Sequence, residues 1–169
     1  MQASTVRMIV DTPRRSRIKY KLEESTGLFI VDRILPPGLN FPFNFGYVPN
    51  TKAADGDAVD MILVVDENLP VGCAVDCSLI GVIEAEQTEE GSTYRNDRVV
   101  AVSAKDPKAP KNANELPEGF IEDVERFFAT YHHADGNDFK VLRMSDASQA
   151  QKLIQKSMQK QNGRKNQHA

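Results

Sequence analysis

Asp55-Gly56-Asp57-Ala58-Val59-Asp60 runs straight into Met61-Ile62-Leu63-Val64-Val65, which places three carboxylates at the mouth of an apolar strand. Two readings are open. An acidic turn feeding a strand accounts for the glycine and the aspartates. A divalent metal site accounts for them too, because hard ions such as Mg²⁺ take oxygen ligands and complete their octahedron with waters and substrate phosphates. The second reading points to phosphate chemistry, and the surrounding residues weigh on the choice.

Outward from the cluster, segments 6–10, 18–22, 28–35, 77–84 and 99–102 also alternate or run apolar in the manner of strands. Turn signals separate them, among them Pro36-Pro37-Gly38, Pro70-Val71-Gly72 and Glu89-Glu90-Gly91. Short strands at regular spacing predict a barrel or sandwich rather than βαβ units. Residues 105–114 read as a surface loop. From Glu118, the spacing of Ile121, Val124, Phe127, Phe128 and Tyr131 predicts a helix with its aromatics on one face. A second helix is expected from Ser145 or Asp146, turning Ala150, Leu153, Ile154 and Met158 inward.

The chain has 169 residues, 40% of them apolar and 27% charged, which fits one soluble domain over 1–169. Its core is expected at about 6–160, with a frayed polar tail over 161–169. A net charge of −3 argues against nucleic-acid binding, which calls for a clustered basic excess. The run Arg14-Arg15-Ser16-Arg17 is read as a solvated loop. No apolar run is long enough to span a membrane, and the opening residues lack a secretory segment, so a cytoplasmic location is expected. Cys73 and Cys77 read as two small buried thiols, with no zinc pattern.

Several cations could hold an anion beside the cluster. Alternation in Ile18-Lys19-Tyr20-Lys21 puts Lys19 and Lys21 on one face, suited either to phosphate or to blunting a sheet edge. Arg33 interrupts the apolar run Phe29-Ile30-Val31-Asp32-Arg33-Ile34-Leu35, where a charge is costly unless paired or turned into a polar cavity.

With these pieces in order, the chain resembles the soluble family I inorganic pyrophosphatases. The resemblance is carried by Ile18-Lys19-Tyr20, Phe29 to Arg33, Phe41-Pro42-Phe43-Asn44-Phe45-Gly46-Tyr47-Val48-Pro49, the acidic cluster, Arg98-Val99-Val100-Ala101-Val102, and Phe127-Phe128 with Tyr131. It implies an α+β, mainly β fold: an OB-like five-stranded barrel flanked by two helices in the C-terminal half. It implies Mg²⁺-dependent (or Mn²⁺-dependent) hydrolysis of pyrophosphate to two phosphates, in a homo-oligomer that is a hexamer if like bacterial relatives. Asp55 and Asp60 would be metal ligands and Asp57 the base; Lys19, Arg33 and Tyr131 would contact phosphoryl oxygens.

Other positions depart from the family's pattern. Glutamates are replaced by Asp11 and Lys21, a tyrosine by Phe45, aspartates by Gln87 and Asn96, and lysines by Arg98 and His132. Lys21, Arg98 and His132 join the substrate-binding candidates, while Asp97, beside Asn96, and Asp11 join the metal-ligand candidates. A cavity with fewer carboxylates is expected to hold fewer ions than is usual for the family. The competing expectation is a degenerate relative that binds a phosphoanion or a protein without hydrolysis. A single-stranded nucleic-acid module on the same barrel is disfavoured by the acidic cluster.

Overall fold

The computed structural model describes residues 5–165. In chain order these form β1 (Val6–Thr12), β2 (Ile18–Glu23), β3 (Leu28–Ile34), β4 (Asn44–Val48), β5 (Val59–Leu63), β6 (Ala74–Glu89), β7 (Ser92–Arg95), β8 (Arg98–Ser103), α1 (Phe120–His133), β9 (Asp138–Asp146) and α2 (Ala147–Lys165). Strands pair in the order β1-β4-β5-β8-β6, and β1 pairs β6 as well, so five strands close into the expected barrel. All of these contacts are antiparallel except β5–β8. Closure removes the open edges that a five-stranded sheet would otherwise present.

β5 explains why its sequence is apolar without alternation. Met61 and Leu63 join one core with Met8, Val10, Val99 and the α2 residues Ala150 and Ile154, while Ile62 joins another with Phe41, Phe45, Phe127 and Phe128. Both faces are covered, so both are apolar. Gly46 answers to the same crowding: a Cβ there would stand 1.9 Å from the carbonyl oxygen of Ile9 on the neighbouring strand. Only glycine lets β1 and β4 approach so closely.

β6 sets the shape of the site. At 16 residues it is far longer than an average strand, pairing β8 through Ile83 and then running on beside β7 and β9. Its far half thereby leaves the barrel and becomes a wall. β2 and β3 form a separate two-stranded sheet. Helix α1 buries Val124, Phe127, Phe128 and His132 on one face.

Three expectations change. Met158 is 38% exposed rather than turned inward, because α2 buries only the stripe carrying Ala150, Ile154 and Ser157. Cys73 precedes β6 and is half-buried, while Cys77 is fully buried within it. Helix continues through Lys165 where a frayed tail was expected, and residues 166–169 lie outside those described. Asp146 caps α2 as expected, accepting from the Gln149 N–H at 3.0 Å.

Candidate active site

The acidic cluster is a tight loop between β4 and β5. Gly56 has φ +92°, a left-handed conformation that glycine adopts without strain, and its N–H donates to the Ala53 carbonyl at 3.1 Å. Asp55 Oδ1 accepts from the Asp57 N–H at 3.0 Å, and Thr51 Oγ1 accepts from the Val59 N–H at 2.9 Å, anchoring the loop to the strand. Asp55 and Asp57 stand exposed at the rim, and Asp60, the second residue of β5, is half-buried below them. All three line one cavity of about 500 Å³.

Among the described residues none of the three carboxylates is ion-paired. Burial raises the pKa of Asp60 to about 7, with the nearby charge of Arg98 opposing and that of Asp55 adding to the rise. Asp55 is raised in the same way, first by burial. Among the described residues these acids are held near one another with no cation at ion-pair distance, Arg98 acting on Asp60 and Asp55 only through its field.

The adjoining wall comes from β6, β8 and α1, and among the described residues its buried lining groups Gln87, Arg98 and His132 include no acid. Gln87 is 6% exposed, and its Oε1 accepts from Asn96 Nδ2 at 2.5 Å, so two of the departures from the family pattern satisfy each other. Arg98, level with Asp60 on the parallel strand, is 2% exposed. Its guanidinium lies 3.9 Å from the centroid of the Phe128 ring and 4.7 Å from that of Phe139, and Nη1 donates to the Asn96 carbonyl at 2.6 Å. Nη2 lies 3.3 Å from His132 Nε2; since arginine only donates, Nε2 accepts and the imidazole proton sits on Nδ1. Arg98 Nε has no hydrogen-bond partner among the described residues.

The remaining candidates divide. Lys19, Lys21, Asp11 and Tyr131 line the cavity, with Lys19 Nζ donating to Asp11 at 3.0 Å. His132 also lines it, but burial, then the charges of Arg98 and Arg33, hold its pKa down to about 3; a neutral ring braces Arg98 instead of supplying charge. Arg33 is not among the lining residues. It pairs with Asp135 at 2.9 Å, donates to the Tyr131 carbonyl at 2.8 Å and stacks 4.2 Å from the centroid of that ring. Asp97, expected as a possible ligand, also turns away: it accepts from the Ala85 N–H and from Arg95, both at 3.0 Å, leaving Asn96 to face the cavity.

Tyr47 and Tyr94, which sequence reasoning missed, line the cavity, as does Glu89. Tyr47 was legible as the alternate partner of Phe45 on one strand face. Tyr94 would have followed from extending the Glu89-Glu90-Gly91 turn into a hairpin, whose returning strand sets it opposite Gln87.

The family model for inorganic pyrophosphatase matches residues 8–162. The chain belongs to the inorganic pyrophosphatase family. It is 32% identical over 155 residues to a soluble inorganic pyrophosphatase of Chlamydomonas reinhardtii, covering 90% of this chain and 79% of that one. An inorganic pyrophosphatase of Halalkalibacterium halodurans is 29% identical, with 91% and 93% covered. Among solved structures, the inorganic pyrophosphatase of Helicobacter pylori superposes with a TM-score of 0.86 at 28% identity, covering 95% of each chain. Within this family frame, the departures at Phe45, Lys21, Gln87, Asn96, Arg98 and His132 all fall on the wall of the same cavity.

Its donor set is that of a hard cation. Among the described residues no three His, Cys, Asp or Glu side chains are gathered tightly enough to hold an ion unaided. Mg²⁺ does not require that, since one or two carboxylates with waters and substrate phosphate oxygens suffice. The carboxylates of Asp55, Asp57 and Asp60 fit such an ion.

Proposed function

We propose that this protein hydrolyses inorganic pyrophosphate to two phosphates with Mg²⁺, for which Mn²⁺ can substitute, in the cavity between the 55–60 loop and the β6–β8 wall. One observation carries the reading: three carboxylates without ion-pair partners among the described residues share one cavity with Lys19, Arg98 and Tyr131, Arg98 lying beside Asp60 on the neighbouring strand. Asp55 and Asp60 would hold the ion. When bound, it lowers the pKa of water and neutralises phosphoryl oxygens. Asp57 takes the proton of the attacking water; the water oxygen forms the new bond to phosphorus as the bridging P–O bond breaks and the second phosphate leaves.

Lys19, Lys21 and Tyr131 hold phosphoryl oxygens, and Arg98 supplies a fixed positive charge at the cavity wall. Arg33 acts through Tyr131, which it stacks upon, as a positioning residue. The neutral Gln87–Asn96 pair replaces acid on that wall, which supports a smaller number of bound ions than is usual for the family.

We place the enzyme in the cytoplasm as a homo-oligomer, a hexamer if it assembles like bacterial relatives. Leu28, Val31 and Ile34 on the β2–β3 hairpin, 62%, 54% and 62% exposed, supply apolar surface for self-association, which sedimentation would measure. The function itself is tested by phosphate release from pyrophosphate. Turnover with Mg²⁺ that a chelator abolishes supports it; no turnover above an Asp57→Ala control contradicts it.

A further inference from the structure

The cavity has a lip that the catalytic roles leave unused. β6 and β7 turn through Glu90 and Gly91, both at positive φ (48° and 79°), in the two-residue manner that closes tight hairpins. Gln87 and Glu89 are two apart on β6 and share a face; Tyr94 is the cross-strand partner of Gln87 and shares it too. All three line the cavity beside Asp55 and Asp57. They differ in depth: Gln87 is buried, whereas Glu89 and Tyr94 are half-buried.

Glu89 is pinned by neutral donors. Its Oε2 accepts from the Tyr94 hydroxyl, and its Oε1 accepts from Asn137 Nδ2 at 3.0 Å, tying the hairpin to the loop after α1. The phenol is pushed well above its ordinary pKa by burial and by its bond to Glu89, with the charges of Asp55 and Asp57 adding to the shift, so it remains a donor. Among the described residues no cation pairs with Glu89. A cation held by Asp55 and Asp60 offsets their charge, whereas Glu89, with both oxygens already bonded to neutral groups, keeps its own. The lip therefore carries a fixed negative charge on the same cavity whose more deeply buried wall groups, Gln87 and Arg98, are neutral and cationic.

A phosphoanhydride seated against Lys19 and Arg98 meets amides and cations at depth. Beyond Lys19 and Arg98 the only lining cation among the described residues is Lys21, exposed on the β2 side, so on the β6–β8 side a third phosphoryl group would extend toward the lip and meet a like charge. We propose that Glu89, held by Tyr94 and Asn137, is a specificity-determining residue that sets phosphoanhydride length, admitting pyrophosphate and disfavouring tripolyphosphate. The inference rests on the pyrophosphatase reading and adds a selectivity element to it.

The test measures kcat/KM for pyrophosphate and for tripolyphosphate, with Mg²⁺, in the wild type, Glu89→Gln and Tyr94→Phe. Glutamine keeps an oxygen for Asn137 and an amide that the Tyr94 hydroxyl can accept from, and a melting curve checks that the variant folds. The tripolyphosphate-to-pyrophosphate ratio is expected to rise about tenfold in Glu89→Gln, the low end of what one contact discriminates. Tyr94→Phe, which loosens Glu89 but leaves its charge, is expected to raise the ratio less. Added salt should narrow the gap between the wild type and Glu89→Gln, since it screens charge at a cavity mouth. A ratio in folded Glu89→Gln within about twofold of the wild type overturns the length-selecting role while leaving pyrophosphate hydrolysis intact. A wild type that turns over neither substrate overturns the parent reading, and this one with it.

Discussion

Glu84 and Asp97, on β6 and just before β8, are acids surrounded by bases. Glu84 accepts from Arg143, Ser145 and Arg95, and Asp97 accepts from Arg95 and the Ala85 N–H. On the cavity side, Asp55, Asp57 and Asp60 have no cation bonded to them among the described residues. The pKa values follow the wiring: Glu84 is lowered to about 2, first by Arg143 and Ser145, whereas burial raises Asp60 to about 7. Carboxylates matched by the protein hold strands together, and carboxylates left unmatched wait for something the protein does not itself supply.

The largest expected effect comes from removing the base on the unmatched side. Asp57→Asn should lower kcat for pyrophosphate by about 10²–10⁴-fold, the usual contribution of a general base. It should leave the melting temperature unchanged or higher, because an exposed, unpaired charge is lost. A large loss of stability would mean that Asp57 belongs with the structural acids.

Next in size is the pH response of Asp60. Its pKa in the folded state exceeds its unfolded value, so between about pH 4 and pH 7 the folded protein binds more protons, and stability falls as pH rises. The fall is at most about 4 kcal/mol, and water in the cavity mouth reduces it. Metal-free melting curves should show this decline, and Asp60→Asn should flatten it. Mg²⁺ should raise the melting temperature more at pH 8 than at pH 6, because it binds the ionised form.

Glu84→Gln should cost about 1–3 kcal/mol, the range for disrupting hydrogen bonds to a charged group, and shift the melting temperature by several degrees. Its turnover number should stay near that of the wild type. The contribution of Glu84 has the opposite sign to that of Asp60: it is present at neutral pH and is lost only as pH falls toward about 2. The smallest effect belongs to exposed Lys21 at the cavity edge. Lys21→Met should raise KM for pyrophosphate by up to about fivefold, as expected of a solvent-screened charge.

The barrel was legible because motif order and apolar runs are local properties of the chain. β4, β7 and β9 were harder to see. In β9 the alternation is broken by a register shift opposite Glu84 and Ala85, and β7 is only four residues long. Within the site, the family resemblance brought together Asp55, Asp57, Asp60, Lys19 and Tyr131, which share one cavity. It did not reveal that Asp97 would be taken by Arg95, that Arg33 would serve Tyr131, or that His132 would be buried against Arg98. Those outcomes depend on which partner lies across a strand or at the end of a helix, and a linear spacing does not encode that competition.

The most direct test of the distinction between matched and unmatched acids is phosphate release from pyrophosphate in Mg²⁺ by Asp57→Asn and Glu84→Gln, assayed side by side at a temperature where both are folded. The expected result is that Asp57→Asn is nearly inactive while Glu84→Gln turns over at close to the wild-type rate. Equal losses in the two folded variants, or an active Asp57→Asn, would contradict the account.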